Sequence, residues 1–121
     1  MSTGDEIATL VESKLGCDYV YGAAGPYTFD CSGLAYWAHG QKNISIPRTS
    51  FQQSQGGKSV SRLERGDLVF FITSGNQINH VGVYVGWNEF IHAPKPGDVV
   101  KKCSLSSSYW QRTYQFAKRY Y

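Results

Sequence analysis

The chain has 121 residues and a formal net charge of +3, and 41% of its residues are hydrophobic while 15% are aromatic. This composition excludes an intrinsically disordered chain, and the length fits one domain with its own core. No apolar run approaches the roughly 18 residues that a membrane-spanning helix needs. The small positive charge comes without a nucleic-acid-binding motif, so we expect a solvated basic surface and no nucleic-acid partner.

The number and spacing of the cysteines argue against two further classes of protein. The three cysteines, Cys17, Cys31 and Cys103, cannot all pair within the chain, and no Cys-x-x-Cys sequence is present. A disulfide framework and a zinc ribbon are therefore excluded. At least one thiol stays free.

Helical patterns come first along the chain, and alternating patterns follow. Capping boxes at Thr3-x-x-Glu6 and Thr49-x-x-Gln52 begin the first and third of three predicted helices, which cover 3–15, 31–40 and 49–55. About five strands are predicted, at 68–72, 80–86, 89–93, 99–102 and 114–120. Helices and strands that are segregated in this way predict an α+β fold in which N-terminal helices pack on an antiparallel sheet.

The second helix places a thiol in its first turn. Asp30 is the predicted N-cap, which leaves Cys31 at the first helical position. Unpaired N–H groups and the positive end of the helix dipole favour an anion there, so we expect a thiol pKa below its free value of about 8.5. The alternative is a small buried hydrophobic residue, which is what most free cysteines are. This segment alone leaves both interpretations open.

A Gly- and Tyr-rich stretch at 18–28 leads directly into that helix. Loops of this kind, held on a rigid scaffold, often carry binding residues. Its tyrosines either line a pocket or simply cover the core. Cys17, which lies just before the stretch, has no acid or base that is identified as its partner, and it is interpreted as structural.

Two histidines are candidate partners for Cys31. His39 lies a helix length away, in the last turn of the same helix, and is rejected as the base. His80 and His92 lie on adjacent strands of a predicted hairpin, and a thiol, a base and an orienting group would complete a cysteine-protease mechanism. A structural role for either histidine, or a zinc site, which would need a fourth ligand, remains an alternative.

Strand parity makes the hairpin prediction specific. A three-residue loop at 86–88 would place Gly82 opposite His92, with His80 as a diagonal neighbour on the same face. We therefore predict Asn88 at positive φ, and both histidines on the face turned toward the cysteine helix.

Taken together, the motifs resemble those of the NlpC/P60 family of papain-like cysteine peptidases, which cleave bacterial cell-wall peptides. The segments that carry the resemblance span most of the chain: Tyr19-Val20-Tyr21-Gly22, Phe29-Asp30-Cys31-Ser32-Gly33-Leu34, Ile46-Pro47-Arg48-Thr49-Ser50, Arg65-Gly66-Asp67-Leu68-Val69-Phe70-Phe71, His80-Val81-Gly82-Val83-Tyr84-Val85-Gly86 and Phe90-Ile91-His92-Ala93-Pro94. Two departures, Tyr21 in place of Trp and Ala23 in place of Gly, concern the pocket wall.

The resemblance implies a role for each matching residue. Cys31 would be the catalytic nucleophile, His80 the base and His92 the third member that orients the base. Residues near the oxyanion or the amino-terminal end of the substrate would be Tyr19, Asp30, Ser32 and Ser50.

The resemblance also implies an activity. It is hydrolysis of peptidoglycan stem peptides at the γ-D-glutamyl–diamino acid bond, with meso-diaminopimelate or lysine as the diamino acid, and without a cofactor or metal. Residues 1–121 would form one catalytic domain that acts as a monomer outside the cytoplasm without inserting into a membrane, although residues 1–6 show no leader pattern. A catalytically inactive wall-binding domain, a related cysteine acyltransferase or amidase, and a generic interaction domain are the alternatives.

Overall fold

The computed structural model describes all 121 residues and contains four helices and one six-stranded antiparallel sheet. The helices are α1 (Thr3–Glu12), α2 (Cys31–Gln41), α3 (Ser50–Ser54) and α4 (Ser108–Thr113). The strands are β1 (Lys58–Val60), β2 (Leu68–Phe71), β3 (His80–Gly86), β4 (Glu89–His92), β5 (Lys101–Ser104) and β6 (Tyr114–Arg119), in the spatial order β1-β6-β2-β3-β4-β5. The predicted α+β fold is confirmed, and none of the helices has the length and apolar character needed to span a bilayer.

Three local predictions need correction. The N-cap of α1 is Ser2 and not Thr3, because the Ser2 hydroxyl accepts the Asp5 N–H. The strand β1 and the helix α4 were not predicted, since both are short and largely polar. The fourth predicted strand, at 99–102, begins later than expected, because Val99 instead forms an isolated bridge with Asp18.

The sheet separates two apolar clusters. Val81, Val83 and Val85 of β3 pack in the larger cluster, which includes the buried residues of α1 and α2. Alternate residues of the same strand point to the other side, where Phe71 and Phe90 pack against α4. Because β3 is covered on both faces, its first residue is buried although it begins a strand.

The β3–β4 hairpin has the predicted register but a different turn. Its turn has two central residues, Trp87 and Asn88, both at positive φ, as a type I′ turn requires. A bulge between Tyr84 and Gly86 compensates for the shorter turn, so that Val83 pairs with Ile91. This register places Gly82 opposite His92. The three-residue loop was therefore wrong, while the register and the positive φ of Asn88 are confirmed.

The predicted face of the two histidines was also wrong. His80 alternates with Val81, and the valines of β3 occupy the face that packs against α2. The imidazoles instead lie on the far face, in contact with Trp110 of α4. The register of the hairpin determines that the two histidines share a face of the sheet. Which face that is depends on the valines of β3, which alternate with His80 and pack against the helices.

A buried ion pair ties the C-terminal strand to the central strands. Asp67, fully buried just before β2, accepts hydrogen bonds from Arg119 Nε at 2.7 Å and Nη2 at 2.9 Å. The Glu64 N–H donates to the same carboxylate at 2.8 Å. The Tyr121 hydroxyl donates to it as well, at 3.3 Å, so four donor groups lose this acceptor if the side chain is removed.

We therefore expect Asp67→Ala to lower the free energy of unfolding by about 3 kcal/mol, because it leaves the largely buried Arg119 guanidinium with only the exposed Glu64 carboxylate, at 3.5 Å, as a partner. Glu89→Ala is the matched control, since Glu89 only meets the half-exposed Lys102 at 3.7 Å and should cost at most about 1 kcal/mol. Urea unfolding of both variants measures the difference. Equal losses would contradict this account of the buried pair.

Candidate active site

The start of α2 is held by one carboxylate. Asp30 caps the helix through Oδ1, which accepts the Gly33 N–H at 2.7 Å, and Oδ2 accepts the Gly22 N–H at 3.0 Å. Arg48 donates to both oxygens, Nη1 to Oδ1 at 3.1 Å and Nη2 to Oδ2 at 3.0 Å. The predicted N-cap is confirmed, and the same side chain joins the Tyr-rich loop, the helix and the segment before α3.

Gly33 is required at this helix start. A Cβ atom there would collide with the Ala23 carbonyl oxygen, which lies directly against the first turn. The close approach of loop and helix leaves Cys31 at the rim of an open cavity instead of beneath the loop.

This cavity, of about 470 Å³, brings together most of the predicted site residues. Sequence reasoning had not assigned a role to Arg48 or Asn79, which also line it. Arg48 lies within a motif of the resemblance but is 18 residues from its partner Asp30, so only the fold reveals the pair. The predicted residues in the cavity are Tyr19, Asp30, Cys31, Ser32 and Ser50.

The expected low thiol pKa is wrong for this arrangement. Burial raises the pKa of Cys31 to about 11, and the negative charge of Asp30 acts in the same direction. The N–H groups of Val81 and Ser32 act in the opposite direction, but more weakly. The sulfur is therefore a neutral thiol here, because desolvation outweighs the favourable helix terminus.

The two predicted histidine partners are brought together. His80 Nε2 and His92 Nδ1 are hydrogen-bonded at 2.7 Å, and both side chains are buried. Trp110 stacks on the His80 ring with centroids 5.6 Å apart and meets His92 edge-on at 5.0 Å. His80 Nδ1 has no hydrogen-bond partner, so it is the one ring nitrogen of the pair that is available to a reacting group.

Cys103 extends this chain of contacts. His92 Nε2 lies 3.3 Å from the Cys103 sulfur. Sequence analysis assigned no partner to Cys103, yet a signal was present. His92 pairs with Lys101, so Cys103, two residues further along β5, is a diagonal neighbour on the same face. Burial raises the pKa of this thiol as well.

Cys31 and the histidine pair lie in adjoining cavities. His80 and His92 line the second cavity, of about 550 Å³, and no hydrogen bond joins the Cys31 thiol to either imidazole. The thiol instead lies near the N–H of Val81, the residue after His80. The thiol thus lies beside the start of β3, next to the residue that carries the His80 imidazole.

Two hydrogen bonds mark the boundary between the cavities. The Asn79 side chain accepts the Thr73 N–H at 2.8 Å, and the Tyr19 N–H donates to the Asp98 carbonyl at 3.0 Å. Asn79 and Tyr19 line the cavity of the thiol, whereas Thr73 and Asp98 line that of the histidines. The cavities are thus neighbouring parts of one surface.

His39 lies apart from both cavities. Its Nδ1 bonds to the Ala35 carbonyl at 2.9 Å within α2, and the ring is fully buried against Tyr120. A structural role accounts for these contacts.

The three histidines predict acid-sensitive stability. Burial lowers the pKa of His80 to about 4 and that of His92 to about 3, and it also lowers the pKa of His39. Below their ordinary value of 6.5 the unfolded chain binds protons that the folded chain refuses, so the free energy of unfolding falls as the pH decreases toward 4.

Urea titrations at several pH values between 7.5 and 5 measure this loss. His39→Gln is the control, since removing one of the three groups with a lowered pKa should make the decline of the unfolding free energy with pH shallower. A free energy of unfolding that stays constant across this interval would contradict neutral burial of the imidazoles.

Two bacterial proteins are similar to most of this chain. It is 43% identical over 113 residues to the murein DD-endopeptidase MepH of Escherichia coli K12, covering 88% of this chain and 42% of that protein. It is 32% identical over 114 residues to the γ-D-glutamyl-L-lysine dipeptidyl-peptidase of Bacillus subtilis 168, covering 91% of this chain and 38% of that protein. The chain thus spans less than half the length of these relatives.

Solved structures and a family profile point to the same family. NlpC2 from Trichomonas vaginalis superimposes with a TM-score of 0.90 at 37% identity, covering 98% of this chain and 47% of that one. The NlpC/p60 domain of the peptidoglycan hydrolase SagA gives a TM-score of 0.81 at 31% identity, covering 96% of this chain and 97% of that one. Residues 16–119 match the profile of the NlpC/P60 family, which confirms the resemblance noted in the sequence. The chain belongs to the NlpC/P60 family.

Proposed function

We propose that the protein is a cysteine peptidase that hydrolyses peptidoglycan stem peptides, with Cys31 as nucleophile, His80 as base and His92 as its orienting partner. The observation that carries the proposal is the hydrogen-bonded His80–His92 pair in the cavity next to that of Cys31. Relatives named as murein endopeptidases support the substrate class. Since peptidoglycan lies outside the cytoplasm, we propose an extracytoplasmic site of action.

The hydrogen-bond chain determines the tautomers that this mechanism requires. If His80 is to accept a proton at Nδ1, its own proton must sit on Nε2 and be donated to His92 Nδ1. His92 then carries its proton on Nε2 and donates it to the Cys103 sulfur, which is a weak acceptor. Each partner thus holds the next imidazole in the tautomer that the base needs.

The chemical step begins from a neutral thiol. Its proton passes to His80 Nδ1 as the sulfur attacks the amide carbon, because burial disfavours a free thiolate before that moment. The N–H of Cys31 at the helix start, together with Tyr19, would stabilise the oxyanion. The C–N bond then breaks, and His80 returns the proton to the leaving amine.

Hydrolysis of the thioester completes the cycle. His80 takes a proton from water as the oxygen attacks the acyl carbon, and it returns a proton to the sulfur when the C–S bond breaks. The products are a carboxylic acid and the free thiol, so no cofactor is consumed.

The acyl part of the substrate fits the cavity of Cys31. Ser50 offers a hydroxyl group there, and Asp30 offers negative charge to the amino-terminal end of a stem peptide. The Ser32 hydroxyl lines the same cavity, but it is buried and already accepts from Arg48 Nη1 at 2.8 Å. Because Asp30 already accepts from Arg48, Gly33 and Gly22, we propose that its main role is to hold the cavity in shape.

The bond that we favour joins γ-D-glutamate to the diamino acid, meso-diaminopimelate or lysine. The Bacillus subtilis relative, a γ-D-glutamyl-L-lysine dipeptidyl-peptidase, supports this choice. The higher identity to the Escherichia coli murein DD-endopeptidase makes a D,D amide bond the second candidate. Mass spectrometry of digested peptidoglycan distinguishes the two, since each leaves a different new amino terminus.

Cys31→Ala should abolish release of peptide fragments from purified peptidoglycan, because no other thiol lies in the acyl cavity. Cys17→Ser should remain active, and so should Cys103→Ser, in which a hydroxyl can accept the same proton from His92. If the Cys31→Ala protein still released fragments, the nucleophile would be misassigned. If the unsubstituted protein bound the wall without releasing fragments, it would be a wall-binding domain.

We expect His80→Ala to lower kcat by about 10²–10⁴-fold, since it removes the proton acceptor itself. His92→Gln should cost less, because an amide can still accept the His80 Nε2 proton and hold the tautomer. Steady-state kinetics on a synthetic stem peptide measures both losses. A larger loss for His92→Gln than for His80→Ala would exchange the two roles.

A further inference from the structure

The cavity beside the histidine pair holds charges that the reaction itself does not use. Lys95, Lys101 and Asp98 line it together with His80 and His92. Its volume of about 550 Å³ can hold an amino acid side chain with its polar groups.

The chemistry of the base assigns this cavity to the leaving group. In acyl transfer the acyl carbon bonds to the Cys31 sulfur, so the acyl part lies in the cavity of Cys31. The leaving nitrogen receives its proton from His80, so the rest of the leaving group lies on the histidine side. The substrate therefore crosses from one cavity to the other at His80.

Of the two lysines that line this cavity, one forms an ion pair and the other does not. Lys101 Nζ is paired with Asp98 Oδ1 at 2.9 Å, and the same oxygen accepts the Val99 N–H at 2.8 Å. Lys95 forms no ion pair and no side-chain hydrogen bond, and it is exposed to the cavity mouth. The three side chains thus carry one net positive charge.

The positive charge of Lys101 also acts electrostatically on His92. Lys101 lowers the pKa of His92, and this effect is larger than the opposing effect of Asp98. A ligand next to the imidazoles therefore meets a positive field, which favours a carboxylate and disfavours an ammonium group.

The loop that carries Lys95 and Asp98 is anchored. The Asp98 N–H donates to the Lys95 carbonyl at 3.1 Å, and the Asp98 carbonyl accepts from Tyr19 at 3.0 Å. Asp18 and Val99 form a bridge at the same point. The backbone that carries these charged side chains is thus anchored next to the loop that lines the cavity of Cys31.

We propose that this cavity is a leaving-group subsite in which Lys95 and Lys101 bind a carboxylate of the departing diamino acid. The subsite would select a diamino acid whose side chain ends in a free carboxylate, as meso-diaminopimelate does, over lysine, whose side chain ends in an ammonium group alone. This inference rests on the proposed peptidase function, which left the diamino acid open.

Two tripeptides that differ at this point test the proposal. L-Ala-γ-D-Glu-meso-diaminopimelate and L-Ala-γ-D-Glu-L-Lys present the same scissile bond, and the ratio of their kcat/KM values isolates the side-chain carboxylate. We expect a ratio of about tenfold in favour of diaminopimelate, as one charge-assisted contact supplies. Lys95→Glu should abolish or reverse this ratio.

Lys102→Glu is the matched control. Lys102 is the next residue on β5 and pairs with Ile91, so it lies on the opposite face, near Glu89. It changes the net charge of the protein by the same amount but should leave the ratio unchanged. A ratio near one in the unsubstituted protein, or an unchanged ratio in Lys95→Glu, would overturn the proposed subsite.

A binding measurement separates the subsite from the reaction. Calorimetric titration of Cys31→Ala with free meso-diaminopimelate and free L-lysine reports on the cavity without turnover. Tighter binding of diaminopimelate, lost in a Cys31→Ala/Lys95→Glu protein, is the expected result. If neither tripeptide is cleaved, the proposed function fails, and this titration still decides the subsite, because equal binding of the two amino acids would refute it.

Discussion

The carboxylate of Asp30 is the constraint on which the site depends. It caps α2, holds the loop before that helix through Gly22 and binds both terminal nitrogens of Arg48. These contacts place Cys31 at the first position of α2, in the wall of the cavity that it shares with Asp30 and Arg48. Without the carboxylate, the helix start, the loop and the Arg48 side chain would each lose a partner.

Burial determines the protonation states of the Cys31 thiol and of the two imidazoles. Desolvation keeps the thiol protonated and both imidazoles neutral, and it outweighs the helix terminus that would otherwise favour a thiolate. A neutral thiol can pass its proton to a neutral imidazole only while negative charge develops on the substrate oxygen instead of on the sulfur. In the proposed mechanism the hydrogen-bonded histidines would serve this exchange, since the bond between them leaves one ring nitrogen of His80 without a partner.

Local features of the site could be predicted from the sequence, and long-range ones could not. The helix start at Asp30 and Cys31 follows from capping preferences, and the mutual register of His80 and His92 follows from strand parity. The face of the sheet and the Arg48 contact depend on which elements pack together. The approach of Cys103 to His92 follows from strand parity, but only once the pairing of β4 with β5 is known. The thiol pKa was mispredicted for the same reason, because burial is a property of the whole fold.

The central claim is that Cys31, and not the histidine-bonded Cys103, carries the acyl group. Acid quenching of the enzyme within its first turnovers on a synthetic stem peptide, followed by peptide mapping with mass spectrometry, tests it most directly. The account predicts an added mass equal to the acyl part of the substrate on the peptide that contains Cys31. An adduct on the Cys103 peptide, or hydrolysis with no adduct under conditions that trap a thioester, would contradict it.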